Sequence, residues 1–136
     1  MEDDRLIKIT PDKERAKSIM DMVELRQKRV DASKDDAFST LLLEDYYEII
    51  KELATAVLNL NGYKTLSHKT LFDYLKNNFR IFSSAETEPM HELRKTRNKV
   101  VYEGFFIKPS YLRRNKPVVK SIILKLRKLA GERCLK

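Results

Sequence analysis

From about Phe38 to Asn59 the apolar residues Leu42, Leu43, Tyr46, Ile49, Ile50, Leu53 and Val57, continued by Leu60, recur at intervals of three and four. Glu44, Asp45, Glu48, Lys51 and Glu52 fill the opposite side. That period is the α-helical one, so this stretch predicts the longest helix and the spine around which the other segments pack. Asn61-Gly62 stops it, the glycine supplying the left-handed conformation that a helix end favours.

Four shorter patterns surround the spine. Thr10-Pro11-Asp12 reads as N-cap, first-turn proline and a dipole-favourable acid, opening a helix to about Val30 with Ala16, Ile19, Met20 and Val23 inward. Residues 31–36 hold no large apolar side chain and read as a loop or a helix start. Ser67 begins a third helix with Leu71, Phe72, Leu75 and Phe79 inward. Ser83 to Glu88 is polar and turn-like, and Pro89 fits the first position of a fourth helix that runs to about Glu103 and stops at Gly104. Phe105-Phe106-Ile107 is too short for a helix and reads as a loop docking on the core. Pro117 opens a fifth helix with Val118, Val119, Ile122, Ile123, Leu126 and Leu129 on one side, closing at Gly131. Nothing alternates as a half-buried strand does. Five helices with short connections predict an all-α, five-helix antiparallel bundle forming a single domain over residues 1–136.

Several kinds of chemistry are not encoded. The two histidines, His68 and His91, fall in different predicted helices, and no cysteine pair or His-x-x-x-His spacing accompanies them, so no metal and no cofactor is expected. His68 reads as a surface histidine in a first turn, and His91 as a reserve acid or base at the start of helix four. The three glycines are helix stops, which excludes a phosphate-binding glycine loop. Cys134 is the single cysteine, which fits a reducing compartment. No apolar run approaches the ~20 residues that span a bilayer, and the first residues are charged, so no membrane association and a cytoplasmic location are expected.

One residue contradicts its own helix. With Arg97 as the origin, Met90, Leu93, Val100, Val101 and Gly104 all fall within about 60° of it around the axis. A cation in the middle of an apolar face needs a partner, because an unpaired buried charge is too costly. Two readings stand: a structural ion pair, or a polar site between helices or between subunits. Asn98 and Tyr102 lie four apart on the flank of the same helix, Arg94 one turn earlier, and Lys95 and Lys99 beside them. Arginine forks onto phosphate oxygens, the amide orients them, and the phenol donates one more hydrogen bond. Charge segregates in the same direction. The chain has net charge +8, and residues 91–136 hold 14 basic against 3 acidic side chains, which favours a polyanionic partner, nucleic acid first.

At these residues, and in the order of its helices, the chain resembles the HEPN (higher eukaryotes and prokaryotes nucleotide-binding) family, in its small stand-alone prokaryotic form. The family motif is an arginine, often followed by a polar residue, with a histidine five to seven positions later in the fourth helix. Arg97 and Asn98 match its start, and Tyr102 stands where the histidine would. The stretch from Gly62 to Lys69 is also similar to the family's segment between its second and third helices.

The resemblance implies a homodimer whose fourth helices meet, so that two motifs form one composite cleft. It also implies RNA as a substrate class, metal-independent endoribonuclease chemistry of the toxin–antitoxin kind, and a minimal nucleotidyltransferase as a protein partner. In that scheme Arg97 and Asn98 hold the scissile phosphate and Tyr102 occupies the place of the proton carrier, with Arg94, Lys95 and Lys99 binding nucleic acid. A free phenol, with its pKa near 10, is ionised in only about one part in a thousand at pH 7. The expectation is therefore RNA binding with ribonuclease activity weakened or lost. The alternative is a non-catalytic interaction module that partners the nucleotidyltransferase.

Overall fold

The computed structural model describes residues 3–134. Its elements in chain order are β1 (Ile7–Lys8), α1 (Lys13–Ala32), a 3-10 turn (Asp36–Phe38), α2 (Ser39–Leu60), β2 (Tyr63–Lys64), α3 (His68–Asn78), α4 (Ser84–Glu103) and α5 (Pro109–Cys134). The described residues thus form an all-α bundle of five helices with one two-stranded ribbon.

Helix α2 is the spine, and it is buried on more than one side. Leu43, Ile49, Ile50, Leu53 and Val57 are enclosed as the periodicity predicts, but so are Tyr47, Ala54, Ala56 and Leu58. Leu42 and Leu60 are only half-buried. The small side chains of Ala54 and Ala56 leave room for neighbouring backbones, and α1 and α5 pack along α2 most extensively. Charged residues such as Glu48, Lys51 and Glu52 break the sequence between these additional positions, so a one-face pattern misses them.

The ribbon was not expected from sequence. β1 and β2 pair antiparallel, with Ile7 opposite Lys64 and Lys8 opposite Tyr63. Gly62 is at φ +88°, and its carbonyl accepts from the Ile9 amide at 2.8 Å. A methyl on Gly62 would meet the Ile9 carbonyl oxygen at 3.2 Å, so both the turn and the close approach need glycine here. The buried Asn59 accepts from the Asp12 amide at 2.9 Å and joins the start of α1 to the end of α2. Asp12, rather than Thr10, therefore caps α1, its carboxylate accepting from the Arg15 amide at 3.0 Å.

The proline-based starts of the fourth and fifth helices lie too late in the sequence reading. Helix α4 opens at Ser84, because Ser83 and Glu86 form a reciprocal capping box that overrides the proline signal. Pro89 sits inside the helix, and the carbonyl it leaves without an amide partner belongs to the exposed Ala85, where solvent can serve it. Helix α5 opens at Pro109 and contains Pro117, which is exposed, as is Arg113, the source of its orphaned carbonyl. Gly131 continues α5 instead of ending it. Of the three residues expected to dock between α4 and α5, Ile107 does so, with its amide on the buried Thr40 hydroxyl at 3.1 Å. Phe105 and Phe106 stay exposed.

Candidate nucleic-acid interface

Helix α4 carries the site. Ser67 caps α3 by accepting from the Thr70 amide, which sets His68 as the first residue of that helix, and α3 packs against α4. On α4, Met90 and Leu93 are buried as predicted, but the same face loosens one turn later. Arg97 and Val100 are half-buried, and Val101 and Gly104 are exposed. The fully buried part of the meridian thus ends at Leu93, Val100 still packs against the core from its edge, and Arg97 stands at the border between core and solvent.

Arg97 has a partner there. One of its terminal guanidinium nitrogens lies 3.4 Å from Glu48 Oε1 on α2, and the guanidinium carbon is 5.4 Å from the centre of the Tyr47 ring. Glu48 is shared, since Lys51 approaches its other oxygen at 2.7 Å. Both side chains of the Arg97–Glu48 pair are about a fifth exposed (21% and 22%), and the separation is long, so the pair contributes on the order of 1 kcal/mol or less. It orients the arginine without consuming its remaining donors.

Around it opens a cleft of about 460 Å³ lined by Leu66, His68, Arg94, Arg97, Asn98 and Tyr102. Four residues singled out from sequence therefore line one cavity. Two cations line it and no carboxylate does. The Arg94 Nε is buried with no hydrogen-bond partner among the described residues, as is the Arg127 Nε on α5, outside the cleft. Two arginines with no acid beside them suit phosphate oxygens, onto which a guanidinium group forks. Tyr102, 78% exposed, holds its phenol at the rim.

Lys95 and Lys99 are not in this cleft. Lys95 is exposed and pairs with Glu92 at 3.6 Å, and Lys99 lines a separate hollow on the other flank of α4. The histidines change places relative to the sequence reading. His91 lies against the Phe72 ring with its Nε2 3.0 Å from Asp73 Oδ1, away from the cleft. His68, expected as a surface residue, lines the cleft, and its Nδ1 is 2.8 Å from the Tyr47 hydroxyl. The signal for it was Tyr47 itself, a phenol on the apolar spine that needs a polar partner when buried.

Among the described residues no group of three His, Cys, Asp or Glu side chains is placed to hold a metal ion. No described helix is long and apolar enough to cross a membrane. No family model matches the chain, and no curated protein or solved structure matches it either.

Proposed function

We propose that this protein binds RNA or another nucleic acid through the cleft on α4, with Arg94, Arg97 and Asn98 holding backbone phosphate and Tyr102 donating from the rim. The observation that carries this reading is a cavity on α4 lined by two arginines and an amide with no acid among its lining residues. The basic balance of residues 91–136 adds long-range attraction for a polyanion. The homodimer and the nucleotidyltransferase partner are carried by the HEPN resemblance alone.

The test is binding of a labelled single-stranded oligoribonucleotide to the wild type and to Arg94→Gln and Asn98→Ala variants. Arg94→Gln should weaken binding about tenfold or more, as expected for a charge-assisted contact of roughly 1.5–3 kcal/mol, and Asn98→Ala by less. Wild-type affinity in both variants, with the fold intact, would defeat the proposal.

His68 favours a second reading, in which some metal-independent ribonuclease activity survives. In the tautomer whose Nδ1–H donates to the Tyr47 hydroxyl, the His68 imidazole, in the same cleft as Arg97, supplies the proton acceptor that Tyr102 is poorly suited to be. In that step the ribose 2′-oxygen attacks phosphorus as its proton passes to His68. The bond from phosphorus to the 5′-oxygen breaks, and that oxygen takes a proton from solvent. The products are a 2′,3′-cyclic phosphate and a 5′-hydroxyl. Cyclic-phosphate ends that disappear in His68→Ala would establish this reading, and ends that persist there would refute it.

A further inference from the structure

A second hollow, of about 410 Å³, lies on the opposite flank of α4 and is left unused by the phosphate cleft. Lys99, Phe105, Phe106, Lys108, Tyr111 and Arg114 are among its lining residues, none of them acidic. Phe106 is 79% exposed and Phe105 47%, an unusual expense of apolar surface on two adjacent residues. The pair is held at both ends. Gly104 turns the chain at φ +64°, and the Phe105 amide closes back on the Lys99 carbonyl at 3.3 Å. On the other side Ile107 is buried and tied to Thr40, and α5 starts two residues later. The floor is equally fixed: Thr96 Oγ1 and the Tyr111 hydroxyl are 3.0 Å apart, and Arg114 lies over the Tyr111 ring at 5.5 Å.

Exposed aromatic rings set among lysines and arginines are what unpaired bases require, since each base has a face to stack and a phosphate to neutralise. A second copy of the chain that met this hollow with its own, about a two-fold axis, fits it poorly. Its own Lys99, Lys108 and Arg114 would face the same cations with no carboxylate in the lining to meet them.

We propose that Phe105 and Phe106 form a base-stacking platform, so that the ligand is a single strand with unpaired bases. This inference rests on the phosphate-cleft reading. One strand crosses the outer ridge of α4, over the exposed Lys95, Lys99 and Tyr102, with phosphate in the cleft and bases in the hollow. Duplexes, whose bases are already stacked on one another, are excluded from the hollow.

The chain has no tryptophan, so Phe106→Trp introduces a sole indole at the platform. Its emission should be quenched by a single-stranded oligoribonucleotide of about 12 nucleotides, and left unchanged by inorganic polyphosphate or by a duplex of equal length. The double variant Phe105→Ala/Phe106→Ala should bind the single strand about tenfold or more weakly while keeping wild-type affinity for polyphosphate. Wild-type affinity for both ligands in that variant would overturn the platform and leave the cleft standing. Failure of the wild type to bind either ligand would overturn the cleft reading and the platform with it. If the double variant instead loses a dimer seen by sedimentation and keeps its single-strand affinity, the hollow is a contact between copies and the platform is wrong.

Discussion

The hydroxyl of Tyr47, in the enclosed middle of α2, lies 2.8 Å from Nδ1 of His68, the first residue of α3. This contact fixes the imidazole at one wall of the cleft while the face of the same phenol ring supports Arg97. A single buried tyrosine thus orients a histidine from one helix and an arginine from another. Tyr47→Phe keeps the ring and removes the hydroxyl, and should cost about 1 kcal/mol of stability, the usual net value of one hydrogen bond. Chemical denaturation measures it, and a variant as stable as the wild type would show that the contact contributes nothing.

Glu86 predicts an acid-sensitive helix start. Its carboxylate receives the Lys125 ammonium at 2.8 Å and the Ser83 amide at 3.2 Å, and these contacts, the lysine foremost, hold its pKa below the ordinary glutamate range despite burial. The folded state then binds the proton less readily than the unfolded state. Its stabilising contribution is present above the unfolded pKa, near 4.5, and is lost as pH falls through the lower folded value. Glu86→Gln should lower stability by roughly 1 kcal/mol at pH 7, in the range of a lost N-terminal cap, and the deficit should shrink on acidification below about pH 4. Denaturation curves of both proteins at several pH values check this, and a deficit independent of pH would contradict it.

The glycines predict opposite signs. Gly104 sits at φ +64° with open space where a Cβ would go, so Gly104→Ala carries a backbone cost alone, about 1 kcal/mol. Gly131 lies within α5 with nothing within 4 Å of an added Cβ, so Gly131→Ala should stabilise by about 0.5–1 kcal/mol. Thermal melts of the two variants should move in opposite directions. A destabilising Gly131→Ala would return that glycine to the role of a helix stop.

What could be read from the chain, and what could not, follows from how local each signal is. The core of α2 and the grouping of Arg94, Arg97, Asn98 and Tyr102 depend on spacing within one helix, and spacing is visible in sequence. Helix starts are ambiguous in sequence where two local signals compete: the Ser83–Glu86 capping box takes precedence over Pro89, and Pro109 over Pro117. The place of His68 in the cleft arises from α3 meeting α4, a tertiary contact that no nearby pattern encodes. Arg97 combines the two readings left open at the outset. It has a structural partner in Glu48, and it also lines a cavity suited to an anion.

The central claim is that the α4 cleft binds nucleic-acid phosphate, and the salt dependence of single-stranded RNA binding tests it most directly. For wild type and Arg97→Ala, the logarithm of affinity is plotted against the logarithm of salt concentration. The wild type should show a steep linear fall, and Arg97→Ala should bind more weakly at every salt concentration with a slope shallower by about 0.7, the loss of one phosphate contact to a single strand. An Arg97→Ala protein that stays folded and reproduces the wild-type affinity and slope would contradict the account.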